Sequence, residues 1–491
     1  MEEEYVKLIF GLKLKQIRTE RNLSLFGLSK LAKLSKSYLN EIEKGKKYPK
    51  TDKIIILSEK LDIPYDDLVS LKLDKNLAPI GEILQSKILK EIPLELFGIK
   101  ESNLIDIIAN APDKVNAFIT TIIEVAKHYN FNRESFYLSS LRSYQQSNYN
   151  YFDDLEQKVV KFCKAYQIDL KSPVSSKELE EVLVEEYGYT INNNDLKKHK
   201  ELYDLRSVFV PKTKTLLLAS DIDEAQRTFI YAKEIGYNYL DFEQRLYTFP
   251  WIKFENFDQV LNNFYASYFA GALLLPRAAL VNEFSTLIKK DTFDKVAFIK
   301  IFSFFAASPE TFYQRLTNLL PQDFNIQTLF FLRFTHDVGS KNYYLTKELH
   351  LPSQQSPHSN ETNEHYCRRW VSLKVLADID KSKEDHAFDI QISKYPDDDV
   401  SYLVFSSATK DLFKKDQYRS ISIGLLINKQ LKKKMAFLED PKIDTQIVGN
   451  TCERCSIMDC KERVVAPKIL EKIKKNKVID EVVSELTAKF S

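Results

Sequence analysis

Hydrophobic positions along the chain recur first at helical and later at alternating spacing. Leu25 to Lys33 carries Leu28, Leu31 and Ala32 as an inward face, and Ser35 to Gly45 carries Leu39 and Ile42, which predicts two short helices. Ser24 and Ser35 stand where an N-cap hydroxyl accepts an orphan amide, and Gly45 where a left-handed residue ends a helix. Asp52 to Leu71 predicts two closing helices, with Pro64 in a first turn. Helical spacing continues from Leu73 to about Gln146, through Ile83, Ile88, Ile92 and Leu96 and then from Ile105 to Val125.

Beyond residue 150 the periods mix. Helices are predicted at Leu155–Tyr166, Lys177–Tyr187 and Glu224–Leu240, with strands at Ser207–Val210 and Thr215–Ala219 around a Pro211–Lys214 turn. Ser308, Pro309 and Glu310 open another helix as cap, first-turn proline and favourable negative charge. Strands follow at Thr328–Thr335, Lys341–Thr346, Ser372–Ala377, Phe388–Ser393, Tyr402–Ser407 and Ser420–Leu426, with Leu349–Glu364 a polar loop. Pro467–Ser491 reads as a basic amphipathic helix packed on the body or a partner. The expected fold class is therefore multidomain. An all-α helix-turn-helix domain (1–72) and a helical linker suited to dimer contacts (73–150) precede an α+β domain (151–300) and a second α+β domain with a mainly antiparallel sheet (301–491).

Charge changes the picture at one end. Gly11 to Lys53 holds twelve Lys and Arg against four Asp and Glu, a net of +8, whereas the whole chain carries +2. A basic excess on a small helical unit is the electrostatic footprint of phosphate binding. Ser35, Lys36, Ser37, Tyr38, Asn40, Lys44, Lys46 and Lys47 are the candidate DNA contacts, on a helix short and polar enough for a major groove. No apolar run reaches the 18 or so residues a membrane helix needs, and the start Met1-Glu2-Glu3-Glu4 is acidic, so the cytoplasm is the expected compartment.

Five cysteines, three of them at Cys452, Cys455 and Cys460 within nine residues, do not form a disulfide pattern. Soft thiols at that spacing converge on zinc or an iron–sulfur cluster, and spacing alone ranks the two level. A fourth ligand would come from Cys367, Cys163 or a histidine such as His365, and Arg454, Lys461 and Arg463 would favour thiolate.

Three resemblances rest on these residues. Ser37-Tyr38-Leu39-Asn40-Glu41-Ile42-Glu43 with Gly45 resembles lambda-repressor-like, XRE-type DNA-binding domains, though Leu25 stands where many relatives carry a Gln that contacts the DNA backbone. Ala232-Lys233-Glu234-Ile235-Gly236-Tyr237 resembles the Ala-His-Glu-Leu-Gly-His helix of zinc peptidase-like domains of the ImmA/IrrE type. Lys233 and Tyr237 replace the two metal histidines, and Asn263 lies near the position of the third ligand. A lysine, a tyrosine and an asparagine do not hold zinc in water, so this domain is expected to be a degenerate, non-catalytic peptidase, with Glu234 left without a metal-bound water to activate.

The whole set resembles the short-chain fatty-acyl transcriptional regulators, through Ser267-Tyr268-Phe269-Ala270, Arg315-Leu316-Thr317-Asn318-Leu319, Phe331-Leu332-Arg333, Cys367-Arg368-Arg369-Trp370 and the cysteine motif with Arg463. That resemblance implies a [4Fe-4S] cluster on Cys367, Cys452, Cys455 and Cys460 and an acyl-CoA effector, although Asn363-Glu364-His365-Tyr366 replaces a Gly-rich segment. It also implies a double-stranded DNA operator and a homodimer. The alternatives are a metalloprotease cleaving a partner repressor and a constitutive regulator with structural zinc.

Overall fold

The computed structural model describes residues 2–71, 133–250, 253–351, 364–382, 384–397, 399–411, 414 and 416–490. The predicted linker helices up to residue 132, and the loop from 352 to 363, lie outside the described residues. The chain divides into two compact units, residues 1–144 with 255–257 and residues 145–254 with 258–491.

The described residues up to 71 in the first unit form five helices: α1 Glu2–Glu20, α2 Leu25–Ala32, α3 Lys36–Glu43, α4 Thr51–Leu61 and α5 Tyr65–Val69. Local chemistry sets its boundaries. Ser24 Oγ accepts the Gly27 amide at 2.9 Å, and Ser35 Oγ accepts the Tyr38 amide at 3.1 Å. Lys33, Gly45 and Asp62 take left-handed backbone where α2, α3 and α4 end. Phe10, Leu14, Leu28, Ala32, Leu39, Ile42, Ile54, Leu57, Leu61 and Leu68 share one core. Two details differ from the sequence reading. Leu31 is 41% exposed, because α2 turns only Leu28 and Ala32 inward. Pro64 is the residue before α5 rather than in its first turn, with extended ψ of 138°.

Helix α1 locks onto α3. Gly11 lies so near the end of α3 that a Cβ there would fall 2.2 Å from the Ile42 carbonyl oxygen, so only glycine fits. Arg18 reaches the buried Glu43 through both forks, Nε–Oε1 at 2.6 Å and Nη2–Oε2 at 2.9 Å, and donates a third bond to the Leu23 carbonyl at 2.7 Å.

The second unit continues through α7 Asp153–Tyr166, which follows α6 Arg133–Ser147, and α8 Ser176–Glu185. A small sheet follows, β1 Thr190–Asn192, β2 Ser207–Val210, β3 Thr215–Leu218 and β4 Thr248–Phe249, with α9 Glu224–Tyr239 between β3 and β4. Its order is β1-β3-β2-β4, with β1 parallel to β3. Helices α10 Phe257–Leu274, α11 Arg277–Ile288, α12 Lys295–Phe304 and α13 Pro309–Phe324 lead to β5 Leu329–Asp337 and β6 Tyr343–Leu351. Then come α14 Val371–Ser382, β7 His386–Tyr395, β8 Val400–Lys410, β9 Gln417–Leu426, α15 Lys429–Lys434, β10 Asp444–Ile447 and α16 Lys468–Phe490. The six-stranded order is β10-β7-β8-β9-β5-β6, antiparallel except where β10 runs parallel to β7.

The largest core packs α11, α12 and α13 against one face of that sheet, with Phe298 stacked on Phe405 at 5.0 Å. On the other face α14 buries Val371, Leu373, Val375, Leu376 and Ile379. Ser372–Ala377, expected as a strand, is therefore helix. The strand expected over Lys341–Thr346 instead runs from Tyr343 to Leu351, past the predicted start of the loop at Leu349. Residue 300, the expected domain boundary, lies inside α12. Helix α16 buries none of its residues among the described residues of the chain, so of the two expected packing surfaces, the body or a partner, the body is not the one it uses.

One ion pair ties the helical layer together. Arg315 on α13, 1% exposed, meets Glu156 on α7 through Nη1–Oε1 at 2.5 Å and Nη2–Oε2 at 2.9 Å. Its Nε donates to the Leu275 carbonyl at 3.0 Å, and Tyr268 of α10 donates to Glu156 Oε1 at 2.8 Å. Among the described residues no single helix is long and apolar enough to cross a membrane; α10 and α11, bent by 64°, meet the length and composition only together.

Candidate functional sites

On α3, burial of Leu39, Ile42 and Glu43 turns Ser37, Asn40 and Lys44 to one outer face at helical spacing. Lys36, Ser37 and Asn40 are exposed, as are Lys46 and Lys47 in the turn after Gly45, while Tyr38 and Lys44 are half-buried. Ser35 is exposed as well, and its hydroxyl oxygen accepts the Tyr38 amide as the cap of α3. Lys47 is shared, 3.6 Å from Glu41 and 5.4 Å from the Tyr38 ring centre. The basic excess is not all outward. Lys13 is buried and its amine donates to the Asp67 and Ser70 carbonyls at 2.9 and 2.6 Å, so with Arg18 it serves the fold. Sequence alone does not separate these internal cations from the exterior ones.

The peptidase-like helix α9 buries Lys233, Glu234 and Tyr237 together. Glu234 Oε2 accepts from Tyr189 Oη at 2.9 Å and from Arg245 Nη2 at 2.5 Å. Arg245 lies between the Phe209 and Tyr237 rings, 4.2 Å from each centre. Burial alone would lower the Arg245 guanidinium, but the Glu234 carboxylate outweighs it and holds the pKa above the ordinary value. Tyr237 Oη donates to Asn263 Oδ1 on α10 at 3.2 Å, so the four expected positions do converge. Lys233 forms no hydrogen bond to any described residue; its amine lies 4.6 Å from the Phe249 ring centre and 5.6 Å from that of Tyr237. Burial pushes its pKa down to about 7. A phenol, an amide, an ammonium and a carboxylate already paired with arginine do not form a zinc donor set. Tyr189 and Arg245 escaped the sequence reading because nothing in their local pattern ties them to α9.

The thiol loop is held by backbone pairing. Cys367 N–H donates to the Asn450 carbonyl at 3.0 Å, Cys452 N–H to the His365 carbonyl at 2.8 Å, and Tyr366 bridges Thr451 in antiparallel sense. Trp370 Nε1 donates to the Gly449 carbonyl at 2.9 Å, and a Cβ on Gly449 would sit 2.7 Å from Cys455 Sγ. Cys367, Cys452 and Cys455 are buried, and Cys460 is half-buried at the outer end of the loop. Burial pushes the Cys367 thiol up to about 11, with the neighbouring Cys455 and Cys452 adding to the rise.

Arg463 fastens the loop by donating to the carbonyls of Cys452, Cys455 and Ile457 at 2.7, 3.2 and 2.6 Å. Arg454, expected beside the sulfurs, is taken up by Glu364 at 2.8 Å, and His365 Nδ1 is engaged by Glu453 at 2.8 Å. Cys163 is buried on α7 as part of that helix's inner face. The donor chemistry of the four-cysteine set suits a thiophilic metal. Among the described residues no three His, Cys, Asp or Glu side chains stand at metal-ligand spacing.

Comparison with known proteins divides along the same lines. Residues 11–73 match a family described as a helix-turn-helix domain, and residues 184–317 match one described as an IrrE N-terminal-like domain. No curated protein sequence matches the chain. A solved structure titled Mycobacterium tuberculosis transcriptional regulator aligns at 17% identity and a TM-score of 0.47, covering 67% of this chain and 93% of that one. The second match runs past residue 300 into α13, as the continuous helical layer does. The chain thus combines a segment similar to helix-turn-helix domains with one similar to IrrE-type peptidase domains.

Proposed function

We propose that the chain is a DNA-binding transcriptional regulator that pairs on a double-stranded operator and whose body responds to a small effector. The outward face of α3 carries this reading: a capped helix, fixed to α1 beneath it, presents Ser37, Asn40 and Lys44 beside Lys46 and Lys47. Asn40 is suited to a base edge, and the lysines to phosphates. The peptidase-like region serves as scaffold and ligand framework, since its former metal positions hold Lys233 and Tyr237.

Cys367, Cys452, Cys455 and Cys460 would hold a [4Fe-4S] cluster, with structural zinc the alternative; a bound cluster supplies a one-electron redox centre. This chain's own part would be to set the segments of Cys367 and Cys452 side by side through the Tyr366–Thr451 bridge and to clamp the loop with Arg463. The effector class is a short-chain acyl-CoA. Regulation requires that it bind two arrangements of the body unequally.

DNA binding tests the core of the reading. Asn40→Ala is expected to lower operator affinity and relax base preference. Lys44→Ala should weaken operator and random DNA alike and flatten the salt dependence. Equal loss on both DNAs for Asn40→Ala would refute base readout. Anaerobic purification with metal analysis and an absorption spectrum decides the centre, since a colourless, zinc-loaded, iron-free protein would refute the cluster.

A further inference from the structure

Helix α16 is 23 residues long, about 34 Å at 1.5 Å per residue. Seven of its residues are Ile, Val or Thr, whose branched side chains lose rotamer freedom in a helix, and none of its residues is buried. Such a helix owes its stability to a surface packed on its apolar face. That face repeats with a period of seven. Ile469, Asn476, Val483 and Phe490 fall at one heptad position, a, and Ile479 and Leu486 at the second, d, three residues later. From Ile479 to Phe490 the apolar a and d residues are between 49% and 81% exposed. Lys472 is the remaining d residue, and Val478 is apolar but lies off the stripe. The opposite face is charged, with Lys477 and Glu481 4.0 Å apart at successive turns.

A second copy of α16 fits this stripe, and in one orientation. In a parallel pair Asn476 meets Asn476 of the partner subunit, and the two amides can donate and accept across the seam. In an antiparallel pair of full overlap Asn476 would face Leu486 and be left without a polar partner. The flanking charges agree. Lys475 at g and Asp480 at e fall opposite each other across a parallel pair, twice by symmetry. The antiparallel pair would instead set Lys475 against Lys489 and Asp480 against its own copy, both repulsive. Ile469 and Val483 at a, with Leu486 at d, suit two strands.

We propose that α16 pairs in parallel with α16 of a second copy of the chain as a short two-stranded coiled coil. This names the interface for the pairing put forward above and rests on that reading for its purpose. Lys472 meeting its own copy loosens the seam at its start, so the tight part spans about two heptads, from Asn476 to Phe490. The pair also fixes how the bodies meet. The amides of Ile469 and Leu470 both donate to the Glu453 carbonyl at 3.1 Å, which fastens the start of α16 to the loop between Cys452 and Cys455. A parallel pair therefore sets the two cysteine loops at the same end.

The test is sedimentation equilibrium of the full chain without DNA. The parent chain is expected to be a dimer at micromolar concentration. Leu486→Glu, on a helix with no buried residue to disturb, should weaken the dimer at least tenfold, and Val478→Glu, off the stripe, should leave it unchanged. Lys475→Glu should weaken pairing at least threefold, and adding Asp480→Lys should restore it. A monomeric parent chain, a trimer or larger assembly, an unchanged dimer in Leu486→Glu or an equal loss in Val478→Glu would overturn the proposal. So would tighter pairing in Lys475→Glu, the sign that antiparallel helices would give. Operator titration in the same samples separates the two readings: Asn40→Ala should keep the dimer while losing operator affinity. A dimer dissolved by Leu486→Glu whose parent chain binds no DNA would refute the DNA reading and leave the interface standing.

Discussion

Replacing Arg315 by methionine removes the positive half of a buried ion pair while keeping most of the side chain's length. Glu156 would lose two guanidinium bonds, at 2.5 and 2.9 Å, and keep only the Tyr268 hydroxyl. The Leu275 carbonyl would lose its donor as well. The side chains of Arg315 and Glu156 are 1% and 10% exposed, so solvent cannot replace what is lost. Breaking a buried pair from one side costs about 3–5 kcal/mol, most of it from the stranded charge. At roughly 2–4 °C per kcal/mol for a unit of this size, the melting temperature should fall by about 10 °C. Urea unfolding followed by tryptophan emission and circular dichroism measures the loss. The double variant Glu156→Leu with Arg315→Met should be less destabilised than Arg315→Met alone, because no carboxylate is left behind. A single-variant loss below about 1 kcal/mol, or strict additivity in the double variant, would refute the account.

Other expectations follow from the same geometry. Burial raises the Glu156 carboxyl, but the charge and hydrogen bonds of Arg315, with Tyr268, outweigh it and hold its pKa below the ordinary value. A carboxylate lowered in the folded state contributes stability above its unfolded pKa and loses it as pH falls through the folded one. Acid titration of Glu156→Gln should therefore show a shallower stability decline below about pH 4 than the parent chain. Gly11→Val should unfold or displace α1, seen as a loss of at least about 2 kcal/mol in thermal melts together with lost DNA binding, since its Cβ would overlap the Ile42 carbonyl. Arg463→Gln should free three loop carbonyls and speed metal release to a chelator severalfold, with far-UV circular dichroism unchanged. Equal release rates would show that the loop is held otherwise.

What was legible in the sequence was local. Ser24, Ser35 and Gly45 mark helix ends through chemistry confined to a few residues, and Leu39 with Ile42 reveals the inner face of α3. Ser372–Ala377 misled because Val371, Leu373 and Val375 alternate like a strand; the helical period appears only when Leu376 and Ile379 are included. Long-range partners were not legible. Glu156 and Arg315 stand 159 positions apart, and Lys13 finds its acceptors 54 and 57 residues away. At the candidate centre, the spacing of Cys452, Cys455 and Cys460 was plain, whereas the assignment of Arg454 to Glu364 depended on a tertiary neighbour.

The contact at Gly11 also limits how the DNA-reading helix can be controlled. With no space between α1 and the carboxyl end of α3, and Arg18 tied to Glu43 along the same seam, the two helices share their degrees of freedom. A signal could not tilt α3 against its own domain without tearing that seam. In the paired regulator proposed above, control would instead act on whole domains, through the separation and phasing of two rigid readers along the duplex. Operator spacing, more than half-site sequence, would then be the quantity that an effector changes.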